Sequence, residues 1–303
     1  MFDLVMSMLA EGLGKAGVAT EASMAGEFAI ASREYAAAAG IFDFLSKDQL
    51  PKWISRGSKI DADQLPIECS LGIASALKIL FQANGQQMAV ATVLIKSGTP
   101  NYSLVAKLCF GIAEQLEAFV AAVREDSFKQ MARMDKDFFT LITFQTQIHR
   151  SLSQYFHARS LWEQQGEYGT AIAILHDAME AIQVRSSAAG KGIPDANSTR
   201  ALIPLGADIK KLREHMKKLL RYWEKDNSSV YFERVPHHVP EEKKLQAGIQ
   251  MKKMEKYKLA DAEPLLLAFP EGTEGQMERS DSDLMKELQA LEIEELEKEL
   301  AGM

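Results

Sequence analysis

The residues with chemistry to offer in this 303-residue sequence are six histidines, two cysteines and many carboxylates, and their spacing limits what they can do. His237 and His238 are adjacent and follow Pro236; in extended backbone neighbouring side chains point to opposite faces, so they do not share one metal ion. His149 and His157 lie two helical turns apart, beyond the His-x-x-x-His spacing of a helical zinc site. No third ligand follows at useful spacing, and the sequence predicts no metal. Cys69 and Cys109 sit in Ala- and Leu-rich helical patterns and read as buried, reduced thiols of a cytosolic protein. Gly-x-Ser-x-Gly, the P-loop and the Gly-rich dinucleotide turn are absent. Glu and Asp are scattered over helix exteriors, with no pair identifiable as general acid and base. These patterns predict a protein that binds without catalysing and needs no cofactor.

Charge points the same way. The formal net charge is -7, unevenly spread. Lys210, Lys211, Arg213, Lys217, Lys218 and Arg221 crowd one predicted helix, and Glu and Asp dominate the last thirty or so residues. The basic helix has two readings. It is a surface for phosphate or anionic lipid, each cation adding about 1 kcal/mol, or a solvated face balanced by Asp208, Glu214 and Glu224. Nucleic acid is not expected, because no aromatic platform is interleaved with the charges. No apolar run approaches the ~20 residues that span a bilayer, and the N-terminus carries Asp3 where a secretory leader is basic.

The elements that must position these residues are helical. Gly26-Glu-Phe28-x-x-Ala31-x-x-x-Tyr35-x-x-Ala38 recurs as Gly166-Glu-Tyr168-x-x-Ala171-x-x-x-Leu175-x-x-Ala178. This is the pattern of a tetratricopeptide-type helix pair, with Gly in the tight turn and Ala where helices approach closely. Periodicity predicts a helix from Leu65 to about Ala83, a break at Asn84-Gly85, and a short helix from Met88 to Ile95. Further helices are predicted over Tyr102 to Arg124, Asp135 to Gln165 and Thr199 to Asp226, with loops at Ser55 to Gln64 and Ser186 to Ser198. Asn227, Ser228 and Ser229 are expected to stop the basic helix. Val230, Tyr231, Phe232, Val235 and Pro236 should then form an extended strap lying in a groove, with the proline-punctuated chain beyond running along a surface. The expected architecture is all-α: an elongated helical solenoid with a tetratricopeptide-like core and an extended C-terminal strap. Residues 1–270 form the domain, 271–279 a linker, and 280–303 an acidic amphipathic tail helix opened by a capping box at Ser280-x-x-Asp283.

The stretch Asp226-Asn-Ser-Ser-Val-Tyr-Phe-Glu-Arg-Val-Pro236 resembles the hallmark near the C-terminal end of the Bro-one domain, found in ESCRT-associated adaptors of the Alix and Brox kind. Ala38-Ala-Gly-Ile-Phe-Asp-Phe-Leu45 followed by Leu50-Pro-Lys52 looks like that family's first tetratricopeptide helix. Phe2-Asp-Leu-Val-Met-Ser-Met-Leu9 is similar to the helix before it. The resemblance covers residues 1 to 270. It implies a banana-shaped, non-enzymatic domain whose best-known partner is the amphipathic C-terminal helix of ESCRT-III subunits. It also implies a cytoplasmic protein recruited peripherally to endosomes. Family members have a small sheet and further helices upstream of the part matching Phe2, so the resemblance implies either a shortened form or a true start lying upstream of Met1.

An ungapped placement puts Ile79, Thr92 and Lys96 where family members carry apolar side chains. Ile79 keeps that character, and Leu80 and Val93 are expected to complete the apolar floor in place of Thr92 and Lys96. Tyr231 is by analogy a regulatory or binding tyrosine; from its type alone it reads as a packed aromatic with its hydroxyl at a groove edge. Met285-Lys-Glu-Leu-Gln-Ala-Leu291 looks like an ESCRT-III C-terminal helix. The tail 280–303 is therefore expected either to occupy this chain's own groove, or that of a second copy, or to remain a solvated helix. Ala301-Gly-Met303 lacks a prenylation Cys. The alternative function is a tetratricopeptide-like scaffold outside the ESCRT pathway, binding other peptides or an anionic membrane through Lys210 to Arg221.

Overall fold

In the computed structural model, residues 2–56, 65–96, 98–184, 193, 200–251 and 253–260 are described. Two units separate at Tyr257, and nearly all described residues belong to the first, Met1–Tyr257. The two copies of the Gly-Glu-aromatic motif sit at equivalent turns. Helix α1 (Phe2–Met24) ends at Gly26, and α2 (Phe28–Phe44) begins two residues later. Gly26 has φ +80°, a conformation that costs glycine little. The second copy, Gly166 at φ +72°, separates the turn ending α7 (Lys136–Ser160) from α8 (Tyr168–Ala181). The repeated alanines, Ala31 and Ala38 in one copy and Ala171 and Ala178 in the other, are all fully buried.

Between them lie α3 (Leu50–Ser55), α4 (Leu71–Ile95), α5 (Tyr102–Asp126) and the single turn α6 (Phe128–Met131), and α9 (Gly206–Asp226) follows α8. A π-helical turn, Leu45–Gln49, carries α2 into α3, with Pro51 in the first turn of α3, where a missing N–H costs nothing. Helix α4 runs unbroken through Asn84-Gly85, contrary to the predicted break there. The Ser32 hydroxyl of α2 donates to the Gly85 carbonyl at 2.7 Å. That packing outweighs a glycine penalty of about 1 kcal/mol. Side-chain caps start both long central helices: Ile73 N–H donates to Ser70 Oγ, and Leu104 N–H to Asn101 Oδ1.

Helices consecutive in the chain pack side by side as an all-α solenoid. Contacts Ser32–Gly85 and Asp43–Lys78 run antiparallel between α2 and α4, as do the ring pairs Tyr102–Phe156 and Phe119–Phe138 between α5 and α7. One apolar cluster fills the space among α4, α5, α7, α8 and α9, and a second joins α1 and α2 to the other side of α4. Leu77 touches both. Cys69 and Cys109 are buried and unpaired, and burial pushes their thiols up to about 11 and about 12.

The strap departs from expectation in two ways. Asn227, Ser228 and Ser229 do not stop α9, because a π-helical turn continues to Tyr231 and Phe232 ends it in the left-handed region at φ 54°. Val230, Tyr231, Phe232 and Val235 are exposed and lie in no groove. The grip comes later, and it comes through the main chain. His157 Nε2 donates to the Lys243 carbonyl at 2.7 Å, burial holding this imidazole below its usual range and so neutral. Gly248 N–H donates to Glu114, Ile249 N–H to the Lys107 carbonyl, and Glu255 N–H to the Ala36 carbonyl. Gln86 is fully buried. Its Nε2 donates to the carbonyls of Leu108 and Ile249, and its Oε1 accepts from Met251 N–H. Tyr257 reaches back to Glu11 of α1 at 2.9 Å. The strap thus crosses from α7 to α1, and it lies so close that a Cβ on Gly40, Gly111 or Gly169 would overlap its carbonyls.

Candidate partner-binding surfaces

Helix α4 carries the residues expected to floor a groove, and it does not bring them together. Leu80 is 7% exposed and belongs to the core. Ile79 and Val93 are half-buried against the same core cluster. At about 100° per residue they share one face, within about 40° of each other, while Thr92 lies about 140° around from Ile79. Gln86 lies between Ile79 and Val93 on their face, and the strap crosses there. The expected continuous floor of Ile79, Leu80 and Val93 is therefore interrupted. Thr92 is half-buried, its hydroxyl donating to the Met88 carbonyl at 2.9 Å, and Lys96 is exposed at the helix end.

Apolar surface is open one turn further on. Leu94 and Ile95 at the end of α4 and Leu104 at the start of α5 are exposed, Ile95 to 64%. They lie on the two sides of the connection from α4 to α5, with Lys96 directly following Ile95. Position in the chain would not have revealed them, since the sequence places Leu94 and Ile95 only at the end of a short apolar helix.

Helix α9 presents the second surface. Ile209, Met216, Leu220 and Trp223 face the core. Lys210, Lys211, Lys217, Lys218 and Arg221 are exposed, and Arg213 is half-buried. Beside the end of α9 an aromatic stack links three elements: Trp162 on Trp223 at 4.6 Å, Trp162 edge-on to Tyr168, and Tyr168 on Tyr231 at 3.5 Å. Tyr231 thus stacks on Tyr168 while remaining 39% exposed.

A cavity of about 270 Å³ lies where α5, α7 and α8 meet the strap, walled by Phe110, Arg150, His157, Val239 and Leu245. Its polar lining is engaged only in part: Arg150 grips Glu117 through two hydrogen bonds and His157 Nε2 holds Lys243, while Gln154 Oε1 and His157 Nδ1 are buried without a hydrogen-bond partner. Among the described residues, no His, Cys, Asp and Glu group could hold a metal ion, and no helix is long and apolar enough to cross a membrane. His237 and His238 are exposed.

Three solved structures share this fold at low sequence identity. One is described as the ALIX BRO1 CHMP4C complex, with TM-score 0.57, 17% identity, and coverage of 77% of this chain and 56% of that one. A second concerns endosomal targeting by the Bro1 domain, with TM-score 0.55, 18% identity, and coverage of 75% and 55%. A third is ALIX with the SIVmac239 PYKEVTEDL late domain, with TM-score 0.57, 17% identity, and coverage of 82% and 30%. The chain spans about half the length of the first two. No curated protein matched the sequence. The family model of the BRO1-like domain matches residues 9–300, a span that includes most of the acidic C-terminal segment. This chain belongs to the BRO1-like domain family.

Proposed function

We propose that this chain is a non-enzymatic adaptor that binds amphipathic C-terminal helices of ESCRT-III-type proteins in endosomal sorting or membrane remodelling. It would act in the cytoplasm and be recruited peripherally to endosomes. Family membership and the ALIX BRO1 structure with CHMP4C support the reading. The observation that carries it is the exposure of Leu94, Ile95 and Leu104 at the end of α4 and the start of α5, the helix ends that one connection joins.

The mechanism is helix-in-groove recognition. Leucines of the partner cover Ile95 and its neighbours, each Å² of apolar surface removed from water contributing about 25 cal/mol before ordering costs. Lys96 guides the encounter with an acidic helix. Ile79, Leu80 and Val93 act from behind, holding α4 against α5. Ile79→Asp would put a charge against the core, so Ile95→Asp is the sharper probe. Titration of the full chain with a labelled ESCRT-III C-terminal peptide should show saturable binding that falls at least about tenfold in Ile95→Asp. Circular dichroism should show unchanged helicity. Equal binding by the variant would remove this surface, and absence of binding by the parent would remove the function.

The segment 280–303, expected to fold back into the groove, lies outside the described residues. As a tethered ligand it would act at an effective concentration near millimolar. Its deletion should raise affinity for the same peptide, and unchanged affinity would discard self-occupancy.

A further inference from the structure

We propose that α9 and the turn ending it form a docking site for an anionic bilayer surface, with Phe232 as its interfacial anchor. The inference stands independently of helix binding at α4. Between Lys210 and Lys225 the helix carries seven Lys or Arg against two Glu. The buried side, Ile209, Met216, Leu220 and Trp223, fixes which side meets water. On that side Lys210, Lys217, Arg221 and Lys225 fall within an arc of about 80° that also holds Glu214, and Lys218 and Lys211 widen it. Among the described residues Lys211 alone of these has a carboxylate within ion-pair distance, Asp208 at 3.4 Å, and that pair is itself exposed. The arc is about 22 Å long, enough to span several lipid headgroups.

Phe232 supplies the second, independent observation. It is the one described non-glycine residue with positive φ, and its ring is 75% exposed. Both conditions are unfavourable in water for a bulky aromatic. The backbone nonetheless enforces them. Phe232 N–H donates to the Asn227 carbonyl at 2.7 Å, and the buried Asn227 side chain clasps both backbone groups of Glu233, at 2.8 and 3.0 Å. The Glu233 carboxylate in turn accepts from Gly169 N–H at 2.8 Å. A bracket this complete, spent on holding an aromatic ring outward, fits a ring that inserts elsewhere. Val230, 62% exposed, and Tyr222 lie open near the same end of the helix.

Cations along a helix face with aromatic and branched side chains at one end match the headgroup and acyl boundary of a bilayer. For nucleic acid the aromatics would have to alternate with the cations, and here they do not.

The test is flotation of the full chain with vesicles of phosphatidylserine and phosphatidylcholine, against phosphatidylcholine alone. Recruitment should require phosphatidylserine and weaken in high salt. Lys217→Glu with Arg221→Glu should lower the bound fraction at least about tenfold. Phe232→Gly should also lower it, by about tenfold. That variant should keep or raise the thermal midpoint, because glycine suits positive φ; loss of binding therefore cannot be misfolding. Neither change should alter affinity for the ESCRT-III peptide in solution. No recruitment of the parent, equal recruitment to uncharged vesicles, or a Phe232→Gly variant that floats like the parent would overturn the proposal.

Discussion

Two stretches of the strap are held in opposite ways. From Val230 to Val235 four of the six side chains are apolar and all six residues are exposed, whereas from Val239 to Tyr257 the composition is mostly polar and the chain is bound across the helices. Apolarity did not decide which part docks. An extended segment laid on helices must find partners for its own N–H and C=O groups. Helix carbonyls have a second lone pair to offer, as Ala36 and Lys107 do, and a side-chain amide such as Gln86 serves donor and acceptor alike. Such bonds need close approach, which Gly40 and Gly111 allow at Glu255 and Ile249.

Variants can break this contrast, beginning with the largest effect. Gly40→Val should displace the strap at Glu255 and cost about 3 kcal/mol, by overpacking and by loss of the bonds beyond it. Chemical denaturation and amide exchange over 248–257 would register both. A comparable loss should come from acid. Burial pushes His149, in the core, down to about 4 and lowers His157, under the strap, in the same direction. Protons therefore bind the unfolded chain first, and stability present above about pH 6.5 is lost as pH falls towards 4, by about 3 kcal/mol for His149. In His149→Leu the remaining slope should be smaller and accompanied by faster exchange near Lys243; an unchanged slope would contradict the assignment.

Gln86→Leu should cost about 2 kcal/mol, since it leaves strap and helix groups unpaired inside. Protection at Met251 should vanish while α4 stays helical. Phe232→Gly marks the opposite pole. It should leave stability unchanged or raise it by up to about 1 kcal/mol, because the Phe232 ring buries little and the left-handed backbone is relieved. A destabilisation there would erase the contrast.

The helical architecture was legible because it rests on local signals. The Gly-Glu-aromatic repeat placed two turns and four buried alanines, and apolar periodicity placed α5 and α7. What failed rests on partners distant in the chain. Gly85 looked like a break because Ser32, which supports it, belongs to another helix. The strap's anchors were hidden in Gln86 and in helix glycines whose role needs the crossing chain. The exposure of Val230 and Phe232 was unreadable, since a local apolar run carries no record of how the backbone turns it.

The α4 floor is a different case. A spacing of thirteen residues leaves a helix about 140° short of whole turns, so Ile79 and Thr92 could have been separated from sequence once the helix was known to be continuous. Ile95 and Leu104 could not, because their openness depends on what the connection between α4 and α5 leaves uncovered.

The central claim is that an amphipathic ESCRT-III-type helix binds at the end of α4. Hydrogen exchange of the full chain, with and without a saturating ESCRT-III C-terminal peptide, tests it most directly. Exchange should slow only at residues 88–96 and in the first turns of α5, with α9 and the strap unchanged. Protection centred on α9 or on 248–257, or none at saturating peptide, would contradict it.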